Sequence, residues 1–144
     1  MNCHISLRNG IVYIPTMGKM GEGFYRGVEP VAVVPAKNTE ALRQALKATI
    51  ARGNPTVPQP QRRDDWPPPV VLKYAGVKSW SEFERGRRVW DLKERDRIYQ
   101  IAGNVRGPNG WVEDRDQTIN FPPDTSVDSV IDRMIAILQD AVGK

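Results

Sequence analysis

Val127, Val130, Ile131, Met134, Ile135, Leu138, Ala141 and Val142 recur at spacings of three and four, one apolar stripe of a helix. A Thr125-Ser126 cap precedes it and Gly143 follows, while Asp128, Asp132, Arg133 and Asp140 occupy the opposite face. A second stripe, Leu42, Ala45, Leu46, Thr49 and Ile50, predicts a helix that starts from an Asn38 or Thr39 cap and is stopped by Gly53 and Pro55. Other segments alternate or run apolar over a few residues. Ile11–Ile14 reads as the first strand, ended by Pro15, and Val31–Val34 between two prolines reads as a strand covered on both faces.

Val70–Tyr74 reads as a further strand, and Ser79-x-x-Glu82 has capping-box spacing for a short helix ended by Gly86. Beyond it, Val89–Lys93, Ile98–Ala102, Trp111-Val112 and Thr118–Phe121 are short β-branched and aromatic segments separated by turns, of which Pro108-Asn109-Gly110 is the clearest. The expected fold is α+β. An antiparallel or mixed sheet of about six short strands would carry two main helices and one short helix. Its 144 residues form one domain with a proline-rich loop at 53–69, where six of the 12 prolines fall.

Composition narrows the function classes. At 40% hydrophobic and 26% charged residues the chain is an ordinary globular one, with Cys3 as its single cysteine and therefore no internal disulfide. The first ten residues lack an apolar signal core, and no segment approaches the roughly 18 apolar residues of a spanning helix, so the expected address is the cytoplasm, without membrane contact. The net charge of +4 is unevenly spread: residues 1–106 hold 18 Lys and Arg against 10 Asp and Glu, whereas residues 107–144 hold 3 against 7. A basic body with an acidic end allows opposite kinds of partner.

Candidate chemistry is sparse. The glycines at 18, 21, 23 and 27 match neither phosphate-loop nor dinucleotide spacing and read as a flexible connection. His4 is the single histidine, expected beside Cys3 near a frayed, exposed end, and the two fall short of a zinc ligand set. No pair of carboxylates stands out for acid-base work. The expectation is a protein that is not an enzyme, without cofactor or metal. Arg85, Arg87, Arg88, Lys93, Arg95, Arg97 and Arg106, interleaved with Trp90 and Tyr99, offer an alternative: a hairpin at 85–106 that binds RNA or DNA. Glu84, Asp91, Glu94 and Asp96 thread that run and favour a solvated mixed-charge hairpin. Two tryptophans adjoin acids, Asp64-Asp65-Trp66 and Trp111-Val112-Glu113-Asp114-Arg115-Asp116, a combination typical of interface anchors and rims but also compatible with core packing.

Ser79-Trp80-Ser81-Glu82-Phe83, Val89-Trp90-Asp91-Leu92, Ile98-Tyr99, Gly110-Trp111-Val112-Glu113-Asp114, Ile119-Asn120-Phe121-Pro122-Pro123 and the final helix together resemble small bacterial immunity proteins, including those of contact-dependent growth inhibition systems. The resemblance covers residues 70–142 and rests on layout, without a diagnostic motif. It implies a cytoplasmic inhibitor whose partner is a cognate toxin domain, often a nuclease. Trp111, Glu113, Asp114 and Asp116, with Asp64 and Asp65, are the contact residues expected under it. The basic total charge departs from what an inhibitor of a nuclease would show.

Overall fold

A computed structural model describes residues 1–21 and 23–142. The expected α+β class is what the chain adopts: one six-stranded, wholly antiparallel sheet with two long helices on one face and short helices on the other. Strands β1 (Asn2–Arg8), β2 (Ile11–Met20), β3 (Phe24–Pro35), β4 (Arg88–Arg95), β5 (Ile98–Gly107) and β6 (Gly110–Asn120) lie in the order β3-β2-β1-β4-β5-β6. Helices α1 (Thr39–Arg52) and α4 (Val127–Val142) cover the first face; α2 (Val71–Ala75) and α3 (Trp80–Glu84) lie against the second.

β1 precedes the first strand expected from the pattern, and it is central, pairing with β2 on one side and β4 on the other. Its alternation is clean. Cys3, Ile5 and Leu7 enter the main core with Val12, Ile14, Leu92 and Ile101, while His4 and Ser6 point to the second face. The strand reverses through Asn9-Gly10, both with positive φ, the two-residue turn whose twist suits a hairpin. Cys3 is therefore buried, not exposed at a frayed end, and burial pushes its thiol up to about 11.

Four further expectations change. Pro15 does not end β2; it sits at a register shift, where a missing N–H breaks no ladder, and the strand continues to Met20. The glycine-rich stretch is then no flexible connection. Gly18 and Gly27 belong to the paired strands of the β2–β3 hairpin. Val31–Val34 lies in β3 on the sheet edge rather than between two covered faces, and Val33 is 41% exposed. Its flanking prolines fit an edge, which has no second neighbour to bond.

The fourth change is Val70–Tyr74, which is helical. Three prolines lead into α2, Gly76 closes it in the left-handed region, and Val71 and Leu72 reach Tyr13 and Phe83 across the second face. A run of five residues suits strand or helix by composition alone. The neighbouring surface decides it.

The long helices behave as their stripes require. Asn38 and Ser126 accept the capping N–H groups of Ala41 and Ser129. The acids of α4 do more than meet solvent: Asp132 pairs with Arg43 at 2.8 Å and Asp128 with Lys47 at 3.5 Å, joining α4 to α1. Gly143 lies outside the described residues. Among these residues no helix is long and apolar enough to cross a membrane.

The proline loop forms no ladder, although Lys19 exchanges backbone hydrogen bonds with Pro55 and Val57 at 2.8 and 3.0 Å, which anchors it to β2. The two late segments, Trp111-Val112 and Thr118–Phe121, join into one strand, β6, with Phe121 just past its end and a bulge between Asp114, opposite Gly103, and Ile119, opposite Ile101. The bulge folds onto Gly103. A Cβ there would meet Gln117 Cβ at 2.6 Å, so Gly103→Ala is expected to lose about 1–3 kcal/mol by crowding. Urea denaturation reads this as a lower midpoint with unchanged slope; an unchanged midpoint would show that the bulge moves aside freely.

Candidate functional site

The second sheet face carries the polar chemistry. α3 is one turn long, and its Ser79 cap accepts the Glu82 N–H at 3.2 Å. Trp80, Phe83 and Glu84, at i, i+3 and i+4, share the side of that turn that faces Arg87. Gly86, at φ +76°, then turns the chain so that Arg87 returns under the helix. The Arg87 guanidinium lies 4.7, 5.5 and 5.1 Å from the ring centroids of Trp80, Phe83 and Trp111. It donates to Ser6 Oγ at 3.3 Å and approaches Glu84 at 3.6 Å.

Arg87 is 6% exposed, a buried cation at the centre of the face. Burial draws its ionisation downward and Glu84 opposes this; a guanidinium nevertheless keeps its proton in any protein environment. Glu84 also binds Arg106 Nη1 and accepts the Trp111 indole N–H at 3.1 Å. Burial raises the Glu84 carboxyl, but these hydrogen bonds, with the charges of Arg106 and Arg87, hold it below its ordinary value.

A second polar line runs across the strands. His4 Nδ1 meets Asp91 Oδ1 at 2.9 Å, and Asp91 Oδ2 accepts from the Asn104 amide at 3.0 Å. Burial pushes the Asp91 carboxyl up, yet the His4 hydrogen bond and charge and the Asn104 amide outweigh it and leave the group low. His4, expected at a frayed end, is instead held on a central strand.

A cavity of about 270 Å³ opens between this face and the proline loop. Trp66, Pro68, Trp80 and Phe83 wall it, and His4, Ser6, Arg26 and Arg87 supply polar groups. This site was not among the sequence candidates. Its signal was the polar half of β1's alternation, His4 and Ser6 between apolar neighbours, next to the Asn9-Gly10 turn.

The expected contact residues fall in different settings. Trp111 is half-buried and joined to Arg87 and Glu84. Glu113 is exposed and accepts from Thr118 Oγ1 at 3.1 Å. Asp114 is used internally, taking the Asp116 N–H and the Gln117 amide at 3.0 and 2.9 Å, which secures the bulge. Asp116 is exposed beside the shallow hollow formed with Arg88, Trp90 and Arg133. Asp64 and Asp65 are exposed on a single 3-10 turn, next to the 44% exposed Trp66. Among the described residues no hydrogen bond, ion pair or shared cavity links Asp64 or Asp65 to the β6 acids.

The arginine-rich hairpin is divided as well. Arg87 is buried, Arg106 is bound by Glu84, and Trp90 is 2% exposed in the main core with Arg88 over its ring. A base has no access to that indole. Among the described residues, Arg85, Arg95 and Arg97 alone of the hairpin arginines stay exposed without an ion pair.

No family model and no curated protein matches the sequence. Solved structures do. A protein of unknown function, NMB0488 from Neisseria meningitidis, superposes with a TM-score of 0.66 at 13% identity, covering 97% of this chain and 93% of its own. A chain of the CdiA-CT/CdiI toxin and immunity complex from Yersinia pseudotuberculosis gives a TM-score of 0.59 at 11% identity, covering 98% and 95%. The fold is shared from end to end. At these identities the likeness is one of architecture, and the side chains of the second face must be read from this chain alone.

The Asp91 carboxylate stabilises the fold above the ordinary carboxylate range, because its folded value is the lower one. That contribution is lost as pH falls through the folded value. Asp91→Asn should therefore cost about 1–3 kcal/mol near neutral pH, with the gap to the native chain closing in acid. Denaturant titrations between neutral and acidic pH measure this, and a gap that stays constant would remove the charge from the account.

Proposed function

We propose that the protein is an immunity protein that binds a cognate bacterial toxin domain, a nuclease, and neutralises it by occluding its active site. The observation that carries this reading is the nearly full-length fold likeness to a chain of a toxin and immunity complex. The resemblance of residues 70–142 to immunity proteins selects the inhibitor's side of such a pair. Its place of action is then the cytoplasm of the producing cell.

Physical features support the reading. A sheet packed on both faces presents a preformed surface, which lowers the ordering cost of association. The contact face in this proposal is the β6 edge with Trp111, Glu113, Asp114 and Asp116, extended by Asp64 and Asp65, acids that complement a basic nuclease cleft. The nucleic-acid reading loses its Trp90 stacking platform to burial, and Glu84 engages two of its seven cations, Arg87 and Arg106. It is not favoured.

The test is co-expression with a toxin domain sought in the reading frames adjoining that of this protein, read as growth and as complex formation; adjoining frames without such a domain would count against the reading. The wild-type chain should restore growth and form a one-to-one complex; failure of both would refute the immunity reading. Because Asp114 secures the bulge, Glu113→Lys with Asp116→Lys is the cleaner charge reversal. It should slow association by about tenfold or more at low salt. Protection by wild type together with an unaltered rate in the variant would move the contact face elsewhere.

A further inference from the structure

The cavity on the second face combines two properties that point to one class of ligand. Its walls are largely apolar, with aromatic and proline rings, and its permanently charged groups are the guanidiniums of Arg26 and Arg87. Arg87 is buried, yet its five N–H donors find one hydrogen bond, the 3.3 Å contact with Ser6, and its Nε has no partner among the described residues. Arg26, which also lines the cavity, has a buried Nε that is likewise unpartnered among the described residues. Buried donors of this kind are normally matched, so two at one cavity call for an acceptor.

Charge decides the sign of that acceptor. Glu84, divided among Arg87, Arg106 and the Trp111 indole, and Asp91, held by His4 and Asn104, both stand behind the lining, whereas the guanidiniums of Arg26 and Arg87 form part of it. Ser6 Oγ accepts from Arg87 and keeps its own hydrogen to donate. A guanidinium fork with a neighbouring hydroxyl matches a carboxylate. A doubly charged phosphate would bear a heavier desolvation cost between indole and proline walls.

Size and shape complete the class. A volume of about 270 Å³ lies just under the range of drug-sized ligand pockets, about 300–1,000 Å³, and suits a molecule of one or two rings. Trp66, 44% exposed, supplies an indole to the lining, and Trp80 adds a second whose ring also meets Arg87. We infer that the cavity between the proline loop and the second sheet face binds a small planar aromatic carboxylate, its acid group on Arg26, Arg87 and Ser6 and its ring among Trp66, Trp80 and Pro68. This site adjoins the proposed contact face, since Trp111 lies against Arg87 and Asp65 precedes Trp66, but ligand binding there does not depend on the toxin-binding proposal.

Calorimetric titration of the full chain with indole-3-acetate, indole and tryptamine tests it. Indole-3-acetate should bind with a Kd of about 1 mM or tighter, indole about tenfold more weakly for want of the acid group, and tryptamine without measurable heat. Arg26→Ala and Trp66→Ala should each weaken indole-3-acetate about fivefold or more, with unchanged circular dichroism and urea midpoint. Both side chains line the cavity from less buried positions than Arg87, so these variants are expected to fold. Equal affinity for indole and indole-3-acetate, no binding of indole-3-acetate, or unchanged affinity in folded Arg26→Ala would each overturn the assignment.

Discussion

A cation buried in a protein needs compensation, and Arg87 draws its own from an ion pair and aromatic rings more than from hydrogen bonds. Trp80 and Phe83 come from α3, Trp111 from β6, Ser6 from β1, and Glu84 closes the ring of contacts while holding Arg106. Elements distant in sequence are thus tied to one guanidinium. Removing a single partner would leave charge or donors uncompensated, which is costlier than losing the contact itself. The short α3 turn, too small to be stable alone, owes its position to this cluster and to the Ser79 cap.

The two faces of the sheet divide their tasks. On the first, Ile5, Ile14, Leu92, Leu42, Leu46 and the stripe of α4 make an ordinary apolar core that supplies most of the stability. On the second, His4, Ser6, Asp91, Asn104 and Arg87 form polar lines beneath a partial cover of short helices and proline chain. β1 serves both, one residue in two to each face. Its central place in the sheet lets a functional face be built without thinning the core.

Long periodic elements were legible in the sequence because their signal is local. The α4 stripe, the Asn38 cap and the Ser79 box each involve residues within a turn or two of one another. β1 was also written locally, in alternation and an Asn-Gly turn, but the polar residues at every second position hide it from a search for apolar runs. Val70–Tyr74 is a helix rather than a strand, and Val31–Val34 a strand at the edge rather than covered on both faces, for a different reason. Their surroundings, the Tyr13–Phe83 surface and the sheet edge, are made by distant segments.

The site shows the same limit more sharply. In the sequence Arg87 is one of many arginines and Trp90 one aromatic among charges, and nothing local distinguishes the buried from the exposed. Only the fold makes Arg87 a centre and withdraws Trp90 into the core. A double-mutant cycle between Arg87→Met and Glu84→Gln, measured by urea denaturation, tests that centre most directly. The account predicts a coupling of about 1–3 kcal/mol, the second substitution costing less once the first is made; additivity within about 0.3 kcal/mol would contradict it.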